Sequence, residues 1–75
     1  MRAYVLINTS PGRALELTKR LRDVPSVKDA DVITGEYDII VVCEAESLKE
    51  LSALIVGDIQ NLEGVFKTTT CLAIM

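Results

Sequence analysis

Two short runs constrain this chain more than anything else in it: Ala3-Tyr4-Val5-Leu6-Ile7-Asn8 and Ile39-Ile40-Val41-Val42-Cys43-Glu44. Successive side chains of a strand point to opposite faces of its sheet. In the first run Ala3, Val5 and Ile7 alternate with Tyr4, Leu6 and Asn8. In the second, Ile39, Val41 and Cys43 alternate with Ile40, Val42 and Glu44. An antiparallel sheet with one wet face reads apolar on one side and polar on the other. These runs are mostly apolar on both sides, so each face needs a cover. The chain has 75 residues to supply them. A domain of that size buries only about 60% of its unfolded surface and is marginal by itself. Disulfides, a bound metal or association with other chains are the usual remedies.

The first two remedies fit poorly. Cys43 and Cys71 are the only cysteines, they form no C-x-x-C spacing, and there is no histidine. A four-ligand zinc site of the common kind cannot be assembled from two cysteines alone. The pair could close a disulfide. The favoured reading is two free thiols buried in neighbouring strands, where cysteine behaves as a small hydrophobe. With no signal-peptide pattern, a reduced cytoplasmic setting is expected. Although 49% of the residues are hydrophobic, no apolar run approaches the roughly 18 residues that span a bilayer. A formal net charge of −3 argues against direct nucleic-acid binding, which positive charge dominates. Association with another chain remains.

The rest of the pattern sets the order of elements. Residues 2–8 read as a strand rich in β-formers. Ser10 reads as a helix N-cap with Pro11 as the first helical residue, and the helix runs to about residue 23 on a stripe of Ala14, Leu17, Leu21 and Val24. Arg13, Lys19, Arg20 and Arg22 gather on it, three of them in its last turns, where cations favour the helix dipole. Residues 27–34 form a second strand, with Ala30, Val32 and Thr34 on one side. Residues 39–44 form the third. Ser47-Leu48-Lys49-Glu50 is a capping box, and it opens a helix whose inner face carries Leu48, Leu51, Leu54, Ile55 and Ile59. Residues 65–75 form the last strand. The order βαββαβ predicts a ferredoxin-like α+β fold. It has an antiparallel four-stranded sheet, its first and third strands central, and two helices on one face. The other face is expected to be covered by an identical chain, giving a homodimer packed sheet to sheet.

Two segments could carry chemistry. Thr34-Gly35-Glu36-Tyr37-Asp38 reverses the chain between the second and third strands. Gly35 tolerates positive φ and close approach of a ligand, and Asp38 can bond nearby backbone N–H groups. By local physics this is first a shaped turn with a tying carboxylate, and only second a ligand site. Thr68-Thr69-Thr70 in the last strand reads as an edge strand of high β-propensity, or as a row of hydroxyls for a small polar ligand. Thr68 and Thr70 share one face; Thr69 is on the other, beside Lys67 and Cys71. No serine has a histidine partner, and Glu36 and Asp38 frame no scissile bond. The chain lacks the glycine-rich arginine loop of acylphosphatases, the paired cysteines of metal chaperones and the strand aromatics of RNA-binding relatives of this fold. No enzyme, metal or cofactor is expected.

Pro11-Gly12-Arg13, Thr34-Gly35-Glu36-Tyr37-Asp38, and Leu62-Glu63-Gly64-Val65 followed by Lys67-Thr68-Thr69-Thr70 together resemble the effector domain of Lrp/AsnC transcription regulators, also called the RAM domain. The resemblance spans essentially the whole chain, 1–75, in order and with the right spacing. It implies dimers joined through their sheets, built further into octamers of four dimers or another ring. It implies a free amino acid as effector, held between subunits. The implied contacts are Gly35, Glu36, Tyr37 and Asp38 of the turn, Ile33 and Thr34 before it, and Thr68, Thr69 and Thr70 of a neighbour. The helix-turn-helix domain and linker of such regulators do not precede the first strand here. The expectation is therefore a stand-alone module without direct DNA contact. Against it stand an interaction protein that forms mixed oligomers with full-length regulators and needs no ligand, and a small enzyme on a dimeric α+β barrel.

Overall fold

The computed structural model describes residues 1–75. The elements are β1 (Arg2–Thr9), α1 (Ala14–Leu21), β2 (Val27–Val32), β3 (Ile39–Glu44), α2 (Leu48–Leu54) and β4 (Val65–Leu72), with α2 continued by a π-helical segment over Ile55–Gln60. The sheet order is β2-β3-β1-β4 and every neighbouring pair is antiparallel. The predicted βαββαβ order and the central placing of β1 and β3 both hold. No helix is long and apolar enough to cross a membrane.

The core lies between the sheet and the helices. Ala3, Val5 and Ile7 of β1 and Ile39, Val41 and Cys43 of β3 meet Leu17 and Leu21 of α1, and Leu51, Leu54, Ile55 and Ile59 of the second helical segment. Each such aliphatic side chain, fully buried, stabilises the fold by about 1.5–3 kcal/mol. Thr18 is the one buried polar side chain, and its hydroxyl donates to the Ala14 carbonyl at 2.8 Å. A bulge in β2 lets Val27 pair with Cys43 and Asp29 with Val42. One residue is thereby absorbed between them, which brings Val27 and Ala30 to the same core face despite their odd separation.

Several local expectations change. Ser10 does not cap α1. Its carbonyl accepts the Arg13 N–H at 3.1 Å, and Gly12 has φ 78°. With proline and then glycine at its centre, this is a type II turn, and α1 begins only after it, behind Arg13. The Pro-Gly pair had signalled a turn more strongly than Ser10 signalled a cap. Ser47 does cap α2, accepting the Glu50 N–H at 3.1 Å, but Glu50 answers to the Glu46 N–H rather than to that of Ser47. Leu48 lies on the expected stripe at the very start of α2 and stays 55% exposed, because the stripe's angle does not guarantee a neighbour at the helix end. β2 stops at Val32, which is itself half exposed at the sheet's edge, and β4 stops at Leu72. The two thiols are not in neighbouring strands: β1 separates β3 from β4, Cys43 is buried, and Cys71 is exposed.

Candidate functional site

The second face of the sheet has no helix over it. Residues paired across neighbouring strands share a face, so the register defines this surface row by row. Asp29, Val42, Tyr4 and Cys71 form one row; Asp31, Ile40, Leu6 and Thr69 form the next. Tyr4, Leu6, Ile40 and Val42 make its apolar centre, each half-buried rather than covered. The two aspartates bound it along β2.

Residues 33–38 fold against one end of this face. The Ile33 N–H donates to the Asp38 carbonyl and the Asp38 N–H to the Ile7 carbonyl, both at 2.9 Å. Asp38 Oδ2 accepts the Thr9 N–H at 2.8 Å and, more weakly, the Thr9 hydroxyl at 3.5 Å. Asn8 Nδ2 donates to the Glu36 carbonyl at 2.7 Å. Gly35, with φ 111°, supplies a backbone angle that other residues adopt only under strain. The tip is thus tied to the end of β1 by three side chains. The hydroxyls of Tyr37 and Thr69 lie 3.2 Å apart in a hydrogen bond, which carries the turn across to β4.

Not all of the sequence-derived residues gather there. Gly35, Glu36, Tyr37, Asp38 and Thr69 meet at this end of the uncovered face; Ile33 is half-buried and Thr34 exposed where β2 has ended. Thr68 and Thr70 pair with Ile7 and Val5 and so face the helices; the Thr68 hydroxyl accepts from Gln60 Nε2 at 3.2 Å. Within one chain only the middle threonine reaches the turn. Asn8 and Thr9 were missed. The signal available was the polar pair that closes the apolar run of β1. Burial pushes the Cys43 thiol above its ordinary pKa, leaving it protonated and inert inside the core. No three His, Cys, Asp or Glu side chains gather as metal ligands, and no pocket opens in the single chain.

The family model described as the Lrp/AsnC ligand binding domain matches residues 2–75. Among curated proteins, an uncharacterized HTH-type transcriptional regulator of Pyrococcus furiosus is 26% identical over 74 residues, 95% of this chain and 49% of that one. The chain spans about half the length of the curated regulators it matches. A homocitrate synthase of Sulfurisphaera tokodaii is 40% identical over 58 residues, 77% of this chain but 12% of that enzyme. Among solved structures, hypothetical protein PHS023 from Pyrococcus horikoshii is 36% identical with a TM-score of 0.93, covering 99% of this chain and 89% of that one. The transcriptional regulator NMB0573 of Neisseria meningitidis, solved as an L-Met complex, shares the fold at a TM-score of 0.88 and 17% identity, covering 99% of this chain and 49% of that one.

Proposed function

The chain belongs to the Lrp/AsnC ligand-binding domain family, and on that premise we propose that it binds a free amino acid at the β2–β3 turn, in a site completed by a second subunit. Binding then modulates transcription or metabolism through the state of assembly. The observation that carries this reading is the turn itself. It is held by Asn8, Thr9 and Thr69, and it stands at the rim of an apolar face with no cover of its own. A face of this kind normally marks an interface, and a second copy of the chain supplies the matching one.

The chemistry suits a zwitterion. The ligand carboxylate needs N–H or O–H donors, which the turn amides around Gly35 and the hydroxyl of Thr69, the threonine of the last strand on the uncovered face, provide. Its ammonium needs acceptors, which carboxylates and carbonyls of residues 33–38 provide. Charge-assisted hydrogen bonds of this type are roughly twice as strong as neutral ones. That the L-Met complex of a more distant regulator has the same fold supports an amino acid as ligand.

A thermal-shift panel of the twenty amino acids tests this, since a ligand that binds only the folded oligomer stabilises it by mass action. Stabilisation by one or a few of them is expected. A flat response across all twenty sinks the reading. The domain shared with Lrp/AsnC regulators gives a second one: mixed oligomers with full-length Lrp/AsnC proteins. Capture of such a regulator by a chain that no amino acid stabilises selects it.

A further inference from the structure

The sheet has two edges, and they are finished differently. β2, at one edge, is six residues long, carries a register shift between Val27 and Asp29, and shows Lys28, Asp29 and Asp31 to solvent. Short length, bulges and charges are the devices that keep an edge strand from pairing with another chain. β4, at the other edge, has eight residues, none of them buried. It holds one charge, Lys67, and no proline. Its register shift lies at its start, opposite Asn8 and Thr9, so residues 67–72 run regularly along β1. Phe66 is 80% exposed and Leu72 39%.

The direction of the backbone groups of β4 follows from the ladder. The Ala73 N–H donates to the Arg2 carbonyl at 2.9 Å. Along an antiparallel pair, residues that exchange hydrogen bonds alternate with residues that do not. Cys71, Thr69 and Lys67 therefore turn their N–H and C=O toward Tyr4, Leu6 and Asn8 of β1. The intervening β1 residues serve the other side, as the Ile7 carbonyl does in accepting the Asp38 N–H. Thr68, Thr70 and Leu72 turn their N–H and C=O out of the sheet, where this chain has no strand to meet them.

We propose that the free edge of β4 pairs antiparallel with β4 of a second copy, about a two-fold axis at Thr69, as a contact separate from the sheet-to-sheet one. The strand is complementary to itself in that register. An isologous contact sets residue i against j and j against i. Thr68 of one copy then lies opposite Thr70 of the other, and both turn N–H and C=O outward, so they exchange both backbone hydrogen bonds. Phe66 lies beside Leu72, which joins two exposed apolar residues, and Lys67 lies opposite Cys71 rather than another lysine. An axis at Lys67 would oppose like charges, which destabilises a strand pair. A slip of one residue would set outward groups against inward ones and form no ladder. A single strand pair is a small contact, and small interfaces give weak associations that depend on concentration. It leaves the uncovered face free for the sheet-to-sheet dimer, and it owes nothing to the amino-acid reading.

The test uses the full chain, with a far-ultraviolet spectrum recorded for every variant. Over a concentration series in light scattering, the wild type is expected to gain mass beyond its dilute value, and Thr70→Pro to hold the dilute value throughout. Proline there removes an outward N–H and none that β1 uses, which is where an edge strand accepts it. Lys67→Cys reads the register without relying on the proline. Diamide, which takes up the two thiol hydrogens, is expected to join the introduced thiol to Cys71 of another copy, because directly opposed strand positions lie within disulfide reach. Positions 67 and 71 of one strand are about 13 Å apart, too far for a bridge within one chain. The cross-linked dimer is expected to be absent from the wild type, from Lys67→Cys/Cys71→Ala and from Lys67→Cys/Thr70→Pro. Wild-type mass that matches Thr70→Pro at every concentration, no cross-link in Lys67→Cys, or a cross-link that survives either second substitution overturns the proposal. The sheet-to-sheet contact stands or falls separately, on substitutions in the uncovered face.

Discussion

Asp38 Oδ2 accepts the backbone N–H of Thr9 at 2.8 Å, so the residue that closes the β2–β3 turn also caps the end of the central strand β1. The same residue bonds Ile7 through its N–H and Ile33 through its carbonyl. One residue, through its side chain and both of its backbone groups, therefore joins three strand ends, and the turn's shape depends on it.

Replacing Asp38 by alanine leaves a part-buried N–H without its acceptor. Hydrogen bonds to a charged group contribute about 1.5–3 kcal/mol, and Asp38→Ala is expected to lower the unfolding free energy by that order. Asp38→Asn preserves an acceptor oxygen and is expected to lose less. Urea unfolding of the two variants checks the ranking; equal losses would mean that the charge, and not the bond to Thr9, matters.

The Tyr37 and Thr69 hydroxyls form the link from the turn to β4. Tyr37→Phe and Thr69→Val each remove one partner and are expected to cost about 0.5–1.5 kcal/mol. The double variant should cost clearly less than the sum, since residues in contact couple. Additive losses in the mutant cycle show that the two hydroxyls do not support each other in solution.

Leu6 and Ile40 are opposite one another at the centre of the uncovered face. Introducing a charge there, as Leu6→Glu, places it outside the core but inside a sheet-to-sheet dimer. The expected outcome is a folded monomer, seen as a halved mass by light scattering with an unchanged far-ultraviolet spectrum. An intact dimer locates association elsewhere.

The two thiols report on the two faces. Burial raises the folded-state pKa of Cys43 above its unfolded value, so the folded chain keeps this proton to higher pH. The associated stability is complete below the ordinary thiol value of 9.0 and is lost as pH rises from there through the raised folded value. Denaturant unfolding between pH 7 and 10 should decline more steeply for the wild-type chain than for Cys43→Ala. Cys71, exposed and opposite Tyr4 on the uncovered face, should be alkylated readily in dilute protein and more slowly as concentration drives dimers. A rate independent of concentration in a protein of dimeric mass counts against the sheet-to-sheet arrangement.

Much of this was legible in the sequence, for reasons tied to particular residues. The alternation of Ala3, Val5 and Ile7 with Tyr4 and Leu6, and the matching alternation in β3, set two central strands and an uncovered face, because a period of two leaves little freedom once the apolar positions are known. The stripe of Leu51, Leu54, Ile55 and Ile59 set the second helix's buried side in the same way. Gly35 and Asp38 marked the turn, since few other residues suit positive φ or tie a turn to its own backbone. The Lrp/AsnC resemblance rested on these same local segments.

What tertiary structure alone decided were the relations between segments distant in the chain. Strand order, with β1 between β3 and β4, separated Cys43 from Cys71. Register put Thr69 on the face that Tyr37 reaches and turned Thr68 and Thr70 toward the helices. It also placed Asn8 and Thr9 under the turn, and Lys67 across from Asn8. Local sequence encodes periodicity and turn chemistry because both act over a few residues. It does not encode which strand lies beside which, because that follows from packing the whole chain around one core.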